Sequence, residues 1–312
     1  MQRTILVIGG TGLIGGAAAL HLRSLGHAVT INGRTPTAAP ALAGLDFLAG
    51  DYTRDDIGRS TLRGFDTVVF CAGQDGRRMP VGSDPAAHFH RTNIVAVPAF
   101  LAKARDAGVE RCVYVGSYYP CLLSQERVDA DPYLIGRQIT DMEVRKLDRP
   151  GFTVCSLAAP FVMGWLEGVK VELIELIIRY LVGEIGGPGP RFIFPGGSNY
   201  MSTLSFSEAI AGAIERGEPG KEYLMGDENL SYFAFYDAVR RALGLPDPVE
   251  VRDADHPVIP NGSYMTLRGG IPAYEPDPEM VARLGYRRHD FLREVADMIP
   301  KYARELGIVI PA

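Results

Sequence analysis

The sequence predicts an α/β chain: a doubly wound parallel sheet wrapped by helices, with a smaller C-terminal substrate-binding lobe. Three observations predict it. Short apolar runs alternate with amphipathic stretches through the first half. A glycine cluster separates the first apolar run from an Ala-rich helical stretch. After Pro160 the alternation gives way to a different rhythm.

Candidate strands fall at 4–8, 28–31, 46–48, 67–71, 112–115 and 153–157. Each is short and apolar or β-branched, as strands buried on both faces must be. Helical stretches lie between them at 13–25, 84–107 and 131–147. Asp84-Pro85 reads as an N-cap followed by proline in the first helical position, and Gly108 supplies the stop. Beyond Pro160, helices are expected at 169–182, 206–215, 232–243 and 291–306, with Gly186-Gly187-Pro188-Gly189-Pro190 as a break. The division expected is a dinucleotide-binding unit over 1–160 and a substrate-binding lobe over 161–312. The segment at about 192–215 is expected to return to the first unit.

Composition narrows the function classes. A net charge of −5 and a pI near 5.7 argue against nucleic acid as the main partner. Mean hydropathy is +0.03, and no apolar run reaches the ~18 residues of a membrane span. Met1-Gln2-Arg3-Thr4 runs straight into a strand-like segment without a secretory layout. Cys71, Cys112, Cys121 and Cys155 form no CxxC pair, which fits a reducing cytoplasm. No metal site is expected: His88 and His90 are two apart, on different faces of a helix.

Ile5-Leu6-Val7-Ile8 leads into Gly9-Gly10-Thr11-Gly12-Leu13-Ile14-Gly15 and then a helix. A glycine turn between strand and helix lets backbone N–H groups and the helix N-terminus approach a pyrophosphate. Gly9, Thr11, Gly12, Leu13, Ile14 and Gly15 are therefore candidate contacts to a dinucleotide, and the fold expected is Rossmann-type. The second strand ends Asn32-Gly33-Arg34, with no carboxylate to accept from ribose hydroxyls. Asn32 and Arg34 are candidate contacts, and a guanidinium there matches a 2′-phosphate, so NADP is expected ahead of NAD. Asp51-Tyr52 after the third strand flanks the adenine or, alternatively, caps the next helical segment.

The Gly9/Gly12/Gly15 turn, Asp51-Tyr52, Cys71-Ala72-Gly73 after strand four, and Asn93 resemble extended short-chain dehydrogenases/reductases of the epimerase/dehydratase type. So do Tyr114-Val115-Gly116-Ser117, Tyr133 sixteen residues later, Ala159-Pro160-Phe161-Val162-Met163-Gly164, Pro195-Gly196-Gly197 and Arg283-Leu284-Gly285-Tyr286. The resemblance spans nearly the whole chain. It implies that Tyr133 exchanges a proton with a substrate oxygen, that Ser117 holds the same oxygen, and that a hydride moves on nicotinamide. It also implies that Cys71, Ala72, Gly73, Asn93 and Pro160 border the cofactor, and that the chain dimerises through 84–107 and 131–147.

The family's lysine, four residues after the tyrosine, is Arg137 here. A free tyrosine titrates near 10, so work near neutral pH needs a shift of about three units, or ~4 kcal/mol. Residues four apart share a helix face, so Arg137 still brings a positive charge to Tyr133. It remains charged when desolvated, but its longer planar fork changes the geometry. The stretch Ser198–Ser202 continues to Thr203-Leu204 without a positive charge, and Leu157-Ala158-Ala159-Pro160 lacks the arginine usual in the resembled family. With Tyr118, Tyr119, Phe161, Met163, Trp165 and Tyr200 as candidate lining, these departures point to a less charged substrate. Arg191 and Arg268 are the remaining candidates for anion contacts.

The expected function is an NADP(H)-dependent oxidoreductase interconverting a small, largely uncharged carbonyl compound and its alcohol. The alternatives are a nucleotide-sugar epimerase or dehydratase with bound NAD, and a dinucleotide-binding sensor or partner protein without catalysis.

Overall fold

The computed structural model describes residues 1–73, 79–259 and 268–310. The first strands and helices are β1 (Thr4–Ile8), α1 (Leu13–Ser24), β2 (Ala28–Gly33), β3 (Asp46–Ala49), α2 (Arg59–Leu62) and β4 (Thr67–Phe70). Then come α3 (Pro85–Phe89), α4 (Ala96–Ala107), β5 (Arg111–Ser117), α5 (Tyr119–Leu122), α6 (Gln125–Ala130), α7 (Pro132–Arg145) and β6 (Thr153–Ala159). The second half carries β7 (Phe161–Met163), α8 (Glu172–Leu181), β8 (Phe192–Ile193), β9 (Gly197–Ser202), α9 (Thr203–Arg216), β10 (Glu222–Leu224) and β11 (Glu228–Ser231). It ends with α10 (Tyr232–Ala242), β12 (Glu250–Val251), α11 (Pro278–Leu284) and α12 (Phe291–Glu305).

Among the described residues, seven parallel strands form one sheet in the order β10-β6-β5-β4-β1-β2-β3. The order reverses beside β1, whose Ile8 pairs with Asn32 of β2 on one side and Phe70 of β4 on the other. A crevice opens at such a switch point, outside the carboxyl ends of the strands. Period-two alternation fills both faces. Ile5, Val7, Val113 and Val115 pack under α1 and α9 with Ala18, Leu22, Phe206 and Ile210. Leu6, Ile8, Cys112 and Tyr114 pack under α4 and α7 with Phe100, Leu101 and Val144. Each fully buried aliphatic or aromatic side chain contributes about 1.5–3 kcal/mol relative to exposure. Two covered faces therefore hold even a four-residue strand such as β4.

The expected helix over 84–107 is continuous but not uniform. Asp84 caps it by accepting from the Ala87 amide at 3.0 Å, and Gly108 ends it at φ 101°. Between α3 and α4, His90–Val95 winds wider, with i→i+5 hydrogen bonding. The helices expected over 169–182, 206–215, 232–243 and 291–306 form with shifted ends as α8, α9, α10 and α12. A separate apolar core joins α8, α10 and α12 through Ile174, Ile178, Phe235, Val239, Val295 and Met298. Helix α9 packs on α1, and β10 pairs with β6, so part of the second half completes the large sheet. No helix among the described residues is long and apolar enough to cross a membrane.

Candidate active site

The glycine turn divides its labour. Gly9 adopts φ 77°, and a Cβ there would meet the Ala72 backbone at 2.7 Å. At Gly10 it would strike Ile31 at 2.6 Å, and at Gly15 the Gly9 carbonyl. These three glycines let β1, β2 and α1 approach closely. Gly12 differs: its nearest neighbour to an added Cβ is the Gly9 carbonyl oxygen at 3.5 Å, so its bare face looks into open space. Gly12 also begins α1 with no side-chain cap and no acidic residue in the first turn. The amides at Leu13, Ile14 and Gly15 are thus available to a negative group at the helix's positive end. Open space over glycine beside uncapped amides fits a dinucleotide pyrophosphate.

At the end of β2 the Asn32 amide is spent internally, donating to the carbonyls of Leu48 and Gly50 at 2.9 and 3.1 Å. Arg34 is exposed and holds no hydrogen bond or ion pair among the described residues. Thr11 packs over Gly33, where an added Cβ would lie 2.8 Å from its Cγ2. The Asp51 carboxylate accepts from the Thr53 amide at 2.9 Å and its hydroxyl at 2.7 Å, a local turn rather than a helix cap. Tyr52 is half-buried, its ring edge-on to Phe70 at 5.1 Å. Cys71, Ala72 and Gly73 follow β4 at the crevice, and burial pushes the Cys71 thiol up to about 12, making it wall rather than nucleophile. Asn93 is 1 % exposed within the widened helical stretch. His88 is buried and His90 exposed, on different faces as their spacing requires.

Ser117 is the last residue of β5 and pairs with Ala159 of β6, so it lies beside the buried Pro160 at the sheet's carboxyl edge. Tyr133 stands in the first turn of α7. Asp131 fixes that turn by accepting from the amides of Tyr133 and Leu134 at 2.8 and 3.3 Å, with Pro132 in the first helical position. The Tyr133 ring meets Phe89 edge-on at 5.5 Å.

One turn on, Arg137 is only 7 % exposed. Its Nη2 donates to the Val115 carbonyl at 2.8 Å, and its guanidinium lies 5.6 Å from the Tyr114 ring centre. Its Nη1 would be 3.5 Å from a Cβ at Gly73, so the fork reaches the bare backbone after β4. Burial works against the buried charge, but Tyr114, Tyr133, Tyr52 and Asp141 together hold the guanidinium above its ordinary value. Burial pushes the Tyr114 phenol up to about 12, which keeps it neutral beneath that charge.

The second half corrects one expectation. Tyr118, Tyr119, Met163 and Tyr200 do not line an open cleft. Tyr118 and Tyr119 bond Ser198 Oγ at 2.8 and 3.1 Å, and the Asn199 amide donates to Tyr118. Tyr200 packs against Phe235 and Phe291, and Met163 joins the same core. The hydroxyl needs of the two adjacent tyrosines, not the walls of a pocket, decide where they point. Phe161 and Trp165 are half-buried. Arg191 donates to the Gly187 carbonyl and lies over Tyr180, while Arg268 pairs with Asp253 and Asp255.

Comparison with known proteins identifies the family. A model of the NAD dependent epimerase/dehydratase family matches residues 5–181. The chain belongs to that family. Among relatives of this epimerase/dehydratase member is a 3 beta-hydroxysteroid dehydrogenase/Delta 5-->4-isomerase of Mycobacterium tuberculosis. It is 30% identical over 310 residues, covering 90% of this chain and 80% of that protein. A UDP-glucose 4-epimerase of Streptomyces lividans is 28% identical over 279 residues, covering 80% and 83%. The crystal structure of UDP-N-acetylglucosamine 4-epimerase from Bacillus cereus shares the fold at 15% identity, with a TM-score of 0.71 over 96% of this chain and 99% of that one. The family's members are NAD(P)-dependent enzymes of the extended short-chain type.

Sequence reasoning named Tyr133 and Arg137 but gave no role to Tyr114, whose ring lies under the guanidinium, or to Asp141, which acts on it electrostatically. Asp141 was readable as the next residue on the same helix face, four positions on. Tyr114 was not, because which face of β5 lies under α7 depends on the register of the sheet.

Proposed function

We propose that this epimerase/dehydratase family member is an NADP(H)-dependent oxidoreductase interconverting a small, largely uncharged carbonyl compound and its alcohol. The observation that carries the substrate class is the engagement of three second-half arginines, Arg191, Arg268 and Arg288. Arg191 is held by a carbonyl, Arg268 by two aspartates, and Arg288 by Asp227 and Glu275. A diphosphate would have to break these contacts before it could be clamped. The cofactor choice rests on the free, exposed Arg34 and on the absence of a carboxylate at the end of β2.

Bound NADPH would supply the hydride. The Tyr133 hydroxyl gives its proton to the carbonyl oxygen as that carbon is reduced, and recovers one in the reverse direction. Ser117 Oγ donates a second hydrogen bond to the same oxygen. Arg137 holds positive charge beside Tyr133 and brings its fork up to Gly73.

The test follows nicotinamide absorbance with NADPH and NADH over a panel of ketones and aldehydes, for wild type and Tyr133→Phe, with cofactor binding measured separately. Turnover that collapses in Tyr133→Phe while binding persists supports the reading. Turnover unchanged in that variant overturns it.

The similarity to a UDP-glucose 4-epimerase over 80% of the chain favours a second reading, nucleotide-sugar epimerisation with retained NAD. It predicts NAD released on denaturing the purified protein and interconversion of UDP-sugars without net consumption of dinucleotide.

A further inference from the structure

Tyr133, Arg137, Asp141 and Arg145 succeed one another at four-residue intervals along one face of α7. Asp141 is only 6 % exposed. Its Oδ2 accepts from Arg145 Nε at 2.6 Å, whereas its Oδ1 is buried without a hydrogen-bond partner. That oxygen faces Gly116 of β5, where an added Cβ would lie 3.4 Å from it. Glycine at 116 thus gives Oδ1 no side-chain donor, and Arg145 is the carboxylate's ion-pair partner. No ion pair joins Asp141 to Arg137 directly, yet the two charges interact through the interior of the protein. Arg145 is itself shared: it reaches the Gly220 carbonyl at 3.4 Å and lies 3.6 Å from Glu222 of β10. Glu222 accepts from the Cys121 thiol of α5 at 3.3 Å. The groups around this ladder are therefore Tyr114 of β5, Tyr52 after β3, Glu222 and Cys121, besides those on α7 itself.

We infer that Asp141 is a positioning residue for the Tyr133–Arg137 pair. Its unpartnered carboxylate oxygen, packed over Gly116, offsets the Arg137 charge and so sets how strongly that charge acts on Tyr133. The inference rests on the reading of Tyr133 and Arg137 as the acid/base pair. Away from bulk water, a guanidinium held by one carbonyl and one aromatic face would stabilise a neighbouring phenolate strongly. A carboxylate one turn further along the helix subtracts from that field, and Arg145, drawn partly towards Glu222, restores only some of it.

The test needs no substrate. Tyrosinate absorbance is titrated in the full-length protein and in its Tyr133→Phe variant, and the difference isolates the step belonging to Tyr133. In the Asp141→Asn background this step should move to lower pH by about half a unit to one unit, and Asp141→Glu should bring it back towards wild type. A step that stays in place in folded Asp141→Asn overturns the inference. Gly116→Ser gives Oδ1 a hydroxyl donor without crowding, and should move the step less but in the same direction. It decides the matter if Asp141→Asn fails to fold, and an unmoved step there is equally fatal. Arg137→Met separates the two readings. If it leaves the step unmoved, the Tyr133–Arg137 pairing itself fails. If it raises the step while Asp141→Asn does nothing, only the role of Asp141 fails.

Discussion

Arg137 and Tyr114 form a cation–π pair beneath the candidate site, with the guanidinium 5.6 Å from the ring centre and anchored by a 2.8 Å bond to the Val115 carbonyl. The pair shows how an arginine is accommodated at this position of the helix. A planar cation spreads over an aromatic face, while its fork still offers donors at either side. An ammonium in the same place is a compact charge without a planar fork.

Arg137→Lys is therefore not a harmless exchange. Lysine keeps the charge but gives up the guanidinium's place over Tyr114 and its fixed donor to the Val115 carbonyl. Stability should fall by about 1–2 kcal/mol, measured by chemical denaturation. A variant as stable as wild type would mean that the Tyr114 contact contributes nothing.

The glycine turn gives a paired prediction. Gly12→Ala adds a methyl group with no neighbour closer than 3.5 Å, so the fold should tolerate it while the methyl occupies the pyrophosphate's approach. Dinucleotide binding should weaken by about tenfold or more with little change in melting temperature. Gly10→Ala does the opposite: its methyl meets Ile31 at 2.6 Å and should cost about 1–3 kcal/mol of stability. Fluorescence titration with NADPH beside thermal unfolding separates the two.

Much of the fold is legible in the sequence because apolar strands and capped helices carry their signals locally. Asp84-Pro85 and Gly108 mark the ends of a helix that indeed runs from Pro85 to Ala107. The widened turn around Asn93 is not legible, since local propensity does not tell i→i+4 from i→i+5 bonding. Helices α2, α5 and α6, of four to six residues, are too short for a periodic pattern to emerge. Strand β10 has only three residues and becomes a strand by pairing with β6. At the site, the Tyr133-to-Arg137 spacing is readable on a helix. The inward turn of Tyr118 and Tyr119 is not, because it depends on Ser198, about eighty residues away.

Arg34 supplies the cofactor prediction. It is exposed and without an intramolecular partner among the described residues, so Arg34→Ala should change stability by less than about 0.5 kcal/mol. A guanidinium on a 2′-phosphate is a charge-assisted contact. Its loss should weaken NADPH about tenfold and leave NADH nearly unchanged. Equal weakening of both, or of neither, would remove Arg34 from cofactor selection and favour NAD.

His256 supplies a pH dependence away from the site. Its ring is boxed by Tyr180 at 4.4 Å and Phe192 at 5.6 Å, with Phe194 and Tyr236 beyond. Nδ1 accepts from the amides of Val258 and Ile259 at 3.2 and 2.9 Å. A proton added at Nδ1 would face two donors inside an aromatic box, and burial lowers the imidazole from its ordinary value to about 4. The folded state thus binds fewer protons than the unfolded chain between about pH 4 and 6.5. The contribution is fully present above about pH 6.5 and is lost as pH falls towards 4. Discounted for screening by nearby solvent, that loss should be about 1–2 kcal/mol. His256→Asn keeps an acceptor for the two amides and removes the titration. Its denaturation free energy should fall less steeply over this window than that of wild type. Parallel slopes would show that folding leaves the imidazole's titration unmoved, and that the aromatic box does not exclude the charged form.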